Sequence, residues 1–325
     1  MKIIRWCVLI LLLILSLRQA HIIGQFTSTS LRFHTPINGQ AALNTRKHAI
    51  NHPDDTNFWP TFWHESTKTL ATNTREIPTT VISFSGDAHL AWPARYTAGT
   101  APAPIDGNGI ALSEALANQL FASTDIIGKQ IYVNETPRFI RGIFAGNAPL
   151  ALLPFHMEDT TPSWTGVTLN SPTNPTRRQA ETFALTAGLG LPNTIVLNGA
   201  YRVARVISLL PFIILSGYIL LLLVKYIKKY HPGWGVPLIL AGLVVFALCL
   251  PFMLEALPPW LIPTRWSDFS FWSSLIQQAR LGFQEFLSLH PTTKDILLRT
   301  HLLYQIVIAF ASLLVFPRTS FPEGR

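Results

Sequence analysis

The chain has 325 residues, of which 49% are hydrophobic and only 13% charged, a low charge density for a soluble protein of this size. Its net charge of +8 is modest, and no Lys/Arg-rich tract carries interleaved aromatics, which argues against a nucleic-acid partner. Both cysteines, Cys7 and Cys249, lie inside apolar runs, so no disulfide framework is available to hold a domain together.

The first predicted element is the apolar run 3–17. Lys2 and Arg5 precede it, and two readings stay open. One is a cleavable signal peptide ending near Ser16–Ala20. The other is a retained anchor over 1–20, favoured because Arg18 breaks the cleavage region. A polar, Pro- and Thr-rich stretch follows to about residue 203, and about 185 residues is ample for one hydrophobic core.

Within that stretch, 79–84 is a β-branched run closed by the turn signal Gly86-Asp87. Residues 109–112 predict a short strand. Ser113 is a candidate N-cap, with Glu114 in the first turn and Ala115, Leu116, Leu120 and Phe121 along one helix face. After the tight connection 124–128, residues 129–133 and 138–144 predict a hairpin around Asn134-Glu135-Thr136-Pro137. In its second strand, Arg138, Ile140 and Gly142 alternate against Phe139, Arg141 and Ile143. Asn174-Pro175 opens a helix to about Ala187, stopped by Gly188 and Gly190, and 194–197 is a last strand. Mixed strands and helices without strict βαβ alternation predict an α+β domain over 21–203.

The segment Gly109-Ile-Ala-Leu-Ser-Glu-Ala-Leu-Ala-Asn-Gln-Leu-Phe121, then Asp125-Ile-Ile-Gly-Lys-Gln-Ile-Tyr-Val-Asn134, then Phe139-Ile-Arg-Gly-Ile-Phe144 resembles the MacB-like periplasmic core domain. Order and spacing match over about 60 residues, a strand, a short helix, a D-x-x-G-K turn and a hairpin, with Gly86-Asp87 upstream. One apolar run at 3–17, a large polar stretch, and three more apolar runs at 206–224, 236–254 and 302–316 form a layout similar to that of FtsX/MacB-type permeases of ABC systems. This resemblance implies an extracytoplasmic α+β domain, an ABC ATPase or a second permease subunit as partner, and a second copy of the chain as another.

The remaining runs are 206–224, 236–254 and 302–316 within 204–325. The first two supply about the 20 residues a spanning helix needs, whereas the third reaches it only with 296–298 and the polar interruption at Arg299 and His301. The basic flanks are Lys2 and Arg5, then Lys225, Lys228, Lys229 and His231, then Arg318 and Arg325. All fall on one side if four helices cross the bilayer with both termini in the cytoplasm and the domain outside. Permeases of the resembled family carry a long coupling helix between their second and third spans. Here the connection is only 225–235, broken by Pro232, Gly233 and Gly235. Lys225, Lys228, Lys229 and Trp234 are its candidate partner contacts; headgroup anchoring is the blander role for the lysines. In the outer loop, Trp260, Trp266, Phe269, Phe271 and Trp272 form an aromatic cluster. Trp272, Ile276, Ala279 and Phe283 then recur at helical spacing, which predicts an outer interfacial helix near 268–289. Trp266, Trp272 and Phe283 are its candidate bilayer contacts.

Candidate chemistry is sparse. His48, His52, Asp54, Asp55, His64 and Glu65 have a superficial metal-ligand spacing, but Asn51, Pro53 and Asn57 make the run read as a loop. Asp87 with His89 reads as a turn rather than an acid–base pair. No nucleophile elbow and no phosphate-cradling glycine loop is present, so neither an enzyme nor a cofactor or metal is expected. Gln305, inside the last run, predicts an interhelical hydrogen bond. The expected function is a permease-like subunit in the cytoplasmic (inner) membrane, or a membrane-anchored envelope scaffold that has lost ATPase coupling.

Overall fold

A computed structural model describes residues 2–26, 28–51, 58–171, 175–196, 207, 269–288 and 291–315. The chain divides into two compact units, Phe26–Asn198, and Met1–Gln25 together with Gly199–Arg325.

The first unit is mixed α and β. Its strands are β1 (Thr29–Asn38), β2 (Trp59–Ala71), β3 (Glu76–Ser85), β4 (Tyr96–Gly99), β5 (Gly109–Ser113), β6 (Gln130–Val133), β7 (Thr136–Phe144), β8 (Leu150–Pro154), β9 (Ser163–Asn170) and β10 (Thr194–Val196). They pair in the order β10-β1-β9-β2-β3-β8-β5-β7-β4, with β6 joining β7 and β2. Pairing is antiparallel except for β3 with β8 and β5 with β7. Because β6 also meets β2, at Leu70↔Val133 and Ala71↔Tyr132, strands β2, β3, β8, β5, β7 and β6 close into a ring.

Two cores follow from this curl. Leu31, Phe62, Trp164, Val167 and Phe183 pack together where β1, β9 and the start of β2 meet helices α2 (Gly39–Asn51) and α5 (Arg177–Thr186). Leu70, Val81, Ile110, Leu112, Ile131, Ile140 and Leu153 fill the ring, joined by Leu116, Ala117 and Leu120 of α4 (Glu114–Phe121). Close approach dictates glycine at several points, two of them against β2. A Cβ on Gly166 would fall 2.4 Å from the Trp63 ring, and one on Gly86, whose φ is +128°, 2.6 Å from Thr61 Oγ1.

The structure refines several expected elements. Ala117, not Ala115, is the small residue that α4 buries. The hairpin turn is only Asn134-Glu135, because Thr136 and Pro137 already pair with Val133 and Tyr132. Ile143 shares the core with Ile140, since a register shift against β5 at Ile110/Ala111 offsets the simple alternation. The helix expected from Asn174 is capped by Thr176, whose hydroxyl and Gln179 form a reciprocal capping box.

In the second unit, α1 (Lys2–Gly24) and α7 (Thr293–Val315) are long and apolar enough, over Cys7–Gly24 and Thr293–Ser312, to cross a membrane. Helix α6 spans Phe269–Ser288. The expected spans 206–224 and 236–254 lie outside the described residues.

Candidate functional site

The strand–helix–turn–hairpin motif folds as one unit built on Ser113. Its Oγ accepts from Leu116 N–H at 3.3 Å, capping α4, accepts from Leu150 N–H at 3.1 Å, and donates to Ala148 O at 2.8 Å. One buried hydroxyl therefore fixes the helix start to the incoming strand β8. Ala122 ends α4 in the left-handed region, and Gly128, at φ +81°, turns the chain into β6. Asn134 and Glu135, at φ 44° and 70°, make the tight turn that twisted hairpins favour. Asn134 also ties this turn to β2: its Oδ1 accepts from Thr69 N–H, and its N–H donates to Thr69 O.

The sequence motif Gly86-Asp87 has a structural role. Asp87 Oδ1 accepts from His89 N–H at 2.9 Å and N-caps the single-turn helix α3 (Ala88–Ala91). Its N–H donates to Thr61 Oγ1 at 3.0 Å. The expected metal-spaced residues do not converge: His48 lies on α2, and His64 and Glu65 on β2. His52, Asp54 and Asp55 are outside the described residues. Among the described residues, no three His, Cys, Asp or Glu side chains could jointly hold an ion.

Helices α1 and α7 run antiparallel and meet through polar as well as apolar groups. Gln305 Nε2 donates to Ser16 Oγ at 2.9 Å, the interhelical bond anticipated for Gln305. One turn along, Gln19 Nε2 donates to His301 O at 3.1 Å and lies 2.6 Å from His301 Nδ1. Leu9, Leu13, Ser16, Ala20 and Ile23 are all buried on α1, at alternating steps of about four and three residues, the spacing of a coiled-coil seam. Leu298, Gln305, Ala309 and Ser312 are their buried counterparts on α7. Val8, Leu11 and Ile14 on α1, and Leu303, Ile306 and Phe310 on α7, are exposed.

The predicted contact residues fall unevenly. Lys225, Lys228, Lys229, Trp234 and Trp266 lie outside the described residues. Trp272 sits half-buried near the start of α6, its ring edge-on to Phe271 at 5.4 Å between centroids. Phe283 belongs to the same helix, but its side chain is outside the described set. Sequence reasoning missed the pairing of Ser16 and Gln19 with α7. Its signal is the polar pair at a three-residue step inside an apolar run.

No protein-family model and no curated protein matches the chain. Among solved structures, it is similar to the extracellular domain of the noncanonic ABC-type transporter YknZ from Gram-positive bacteria. That match has 12% identity and a TM-score of 0.40, covering 52% of this chain and 97% of that one. It is also similar to the periplasmic region of MacB from Actinobacillus actinomycetemcomitans, at 13% identity and a TM-score of 0.45, over 55% of this chain and 94% of that one.

Proposed function

We propose that this chain is a permease-like subunit of an ABC-type transport or mechanotransmission system, anchored in the cytoplasmic membrane with unit 26–198 on the extracytoplasmic side. The observation that carries the reading is the α1–α7 pair. The chain begins and ends its described length in two apolar helices that lock together antiparallel, and they bracket an α+β unit whose central motif has the order of a MacB-like core domain. An antiparallel pair of this kind would cross a bilayer with both chain ends on one side. The basic flanks at Lys2, Arg5, Arg318 and Arg325 make that side cytoplasmic. In this layout runs 206–224 and 236–254 supply the other two spans and 268–289 is an outer interfacial helix, with Trp266, Trp272 and Phe283 as proposed bilayer contacts.

In this role an ATPase inside the cell would bias two states of the spans, and the outer domain would pass that bias to a partner. The brevity of 225–235 supports a second reading, in which Lys225, Lys228, Lys229 and Trp234 make too small a docking surface and the chain serves as an envelope scaffold. Two measurements test the proposal. Reporter fusions at Trp234 and Gly324 should read cytoplasmic and fusions within 165–175 external; an external signal at Trp234 overturns the layout. Co-purification with a candidate ATPase, lost when Lys225, Lys228 and Lys229 become Gln, would select the coupled permease. Failure to retain any ATPase would select the scaffold.

A further inference from the structure

Strand β2 ends at Ala71 and turns back into β3 at Glu76, whereas β6 extends beyond the last β2–β6 pair, Ala71↔Tyr132, to Gln130. There the two strands diverge. A cleft of about 550 Å³ opens between the 72–75 turn, the end of α4 and the start of β6. That volume falls within the range of ligand pockets, about 300–1,000 Å³.

Two cations, Arg75 and Lys129, line the cleft, and no Asp or Glu among the described residues does. Arg75 Nη1 donates to Gln119 O at 2.6 Å, and Lys129 Nζ lies 5.8 Å from the Phe121 ring centroid. The last turn of α4 therefore holds both charges at the cleft. The bond to Gln119 uses one guanidinium N–H of five, and both cations are exposed. A planar fork with donors to spare suits a carboxylate.

The backbone of β6 adds a direction. Ile140 N–H donates to Lys129 O, and Asn134 N–H to Thr69 O. By ladder alternation the odd residues of β6 then bond β7, and the even ones face β2. Tyr132 meets Ala71 on that side, but opposite Gln130 strand β2 has already ended. The N–H and C=O of Gln130 are thus a short free strand edge bordering the cleft. An extended peptide can pair with such an edge; a sugar or a free anion has no matching backbone.

We propose that this cleft docks an extended acidic segment of an extracytoplasmic partner protein, its backbone pairing with Gln130 and its carboxylates meeting Arg75 and Lys129. The inference gives a chemistry to the outer partner invoked above, and it rests on that reading for the side of the membrane.

The test uses the full chain in non-ionic detergent and a fluorescein-labelled peptide of alternating Glu and Val, followed by anisotropy. Lys129→Gln and Arg75→Gln should each weaken binding about two- to fivefold, the scale of exposed ion pairs. Lys129→Gln removes no hydrogen bond among the described residues. It carries the comparison if Arg75→Gln, which loses the bond to Gln119, melts lower. Lys47→Gln, exposed on α2, should bind as the parent does. Methylating alternate backbone nitrogens of the peptide leaves its charge intact and should weaken binding about two- to tenfold. A peptide of alternating Lys and Val should not bind. Because the assay reads binding in detergent, it can fail while reporter fusions still give the expected layout, and the reverse. The proposal is overturned by no binding, by equal binding of parent and Lys129→Gln, or by equal binding of the methylated peptide. Displacement of the labelled peptide by polygalacturonate but not by unlabelled peptide would assign the cleft to an acidic sugar and overturn it as well.

Discussion

Gln305 and Ser16 meet across 2.9 Å with both side chains fully buried, although 289 residues separate them in sequence. In a bilayer such a bond contributes about 0.6 kcal/mol on average, so its main effect is on register rather than on strength. Converting both residues to Cys, with Cys7 and Cys249 changed to Ser, should give an efficient oxidative cross-link within one chain. A Leu11→Cys/Gln305→Cys pair should not cross-link, because Leu11 is on the exposed face of α1. Cleavage of the N-terminal helix from the mature protein would abolish the first cross-link and show that α1 is a leader.

Ser113 is the hinge pin of the motif. Replacing it with Ala removes an N-cap and strands the buried N–H groups of Leu116 and Leu150 that its oxygen satisfies. The expected loss is about 2–4 kcal/mol of unfolding free energy by urea titration. A loss below about 0.5 kcal/mol would mean that the cap is not needed.

Leu116 and Asn118 test which face of α4 is packed. Leu116 is completely buried in the ring core and Asn118 is exposed. Leu116→Asp should unfold the unit, since losing a buried Leu costs about 2–5 kcal/mol before the charge is counted. Asn118→Asp should shift the melting temperature little. Similar melting of the two variants would contradict the packing.

Glu135 holds a left-handed backbone at φ 70° that suits glycine. Glu135→Gly should therefore stabilise by about 0.5–1 kcal/mol, and Glu135→Val should destabilise by more. Thermal unfolding of the two variants in parallel checks the sign of each effect.

His64 predicts an acid limb in the stability curve. Burial, then Lys68, lowers its pKa from the ordinary value of 6.5, against a smaller opposing pull from Glu65. Between the lowered folded value and 6.5 the unfolded chain binds more protons than the folded one, so stability falls as pH falls through that window. Above it the contribution is flat. His64→Gln, which keeps a polar group beside Thr165 Oγ1, should flatten this limb; an unchanged slope would assign it elsewhere.

The parts of the fold legible in sequence are those whose local chemistry is self-sufficient. Ser113, the Gly128 turn, the Asn134 hairpin and the Gly188 stop each act within a few residues. Strand β1 carries a short alternation, Leu31 and Phe33 against Arg32 and His34, but Thr35-Pro36 interrupts it, and its partners lie at residue 163 and beyond. Helix α2 opens on Gly39 and carries Asn, Thr and Lys with few large apolar residues; it is held instead by tertiary contacts. Arg46 of that helix donates from Nη2 to Ser85 O at 2.8 Å and stacks on Phe62. His64 and Glu65 read as loop because only the pairing with β3, not the local sequence, shows that they belong to a strand. Ring closure at Leu70↔Val133 has no local signal at all.

Strand β2 serves both halves of the domain, with Phe62 in one core and Leu70 in the other. Neither half can therefore open without breaking a strand that the other requires. In amide hydrogen exchange the most protected protons around Val167 and around Ile140 would then report one shared opening reaction with a common free energy. A domain with two cores would behave, thermodynamically, as a single foldon.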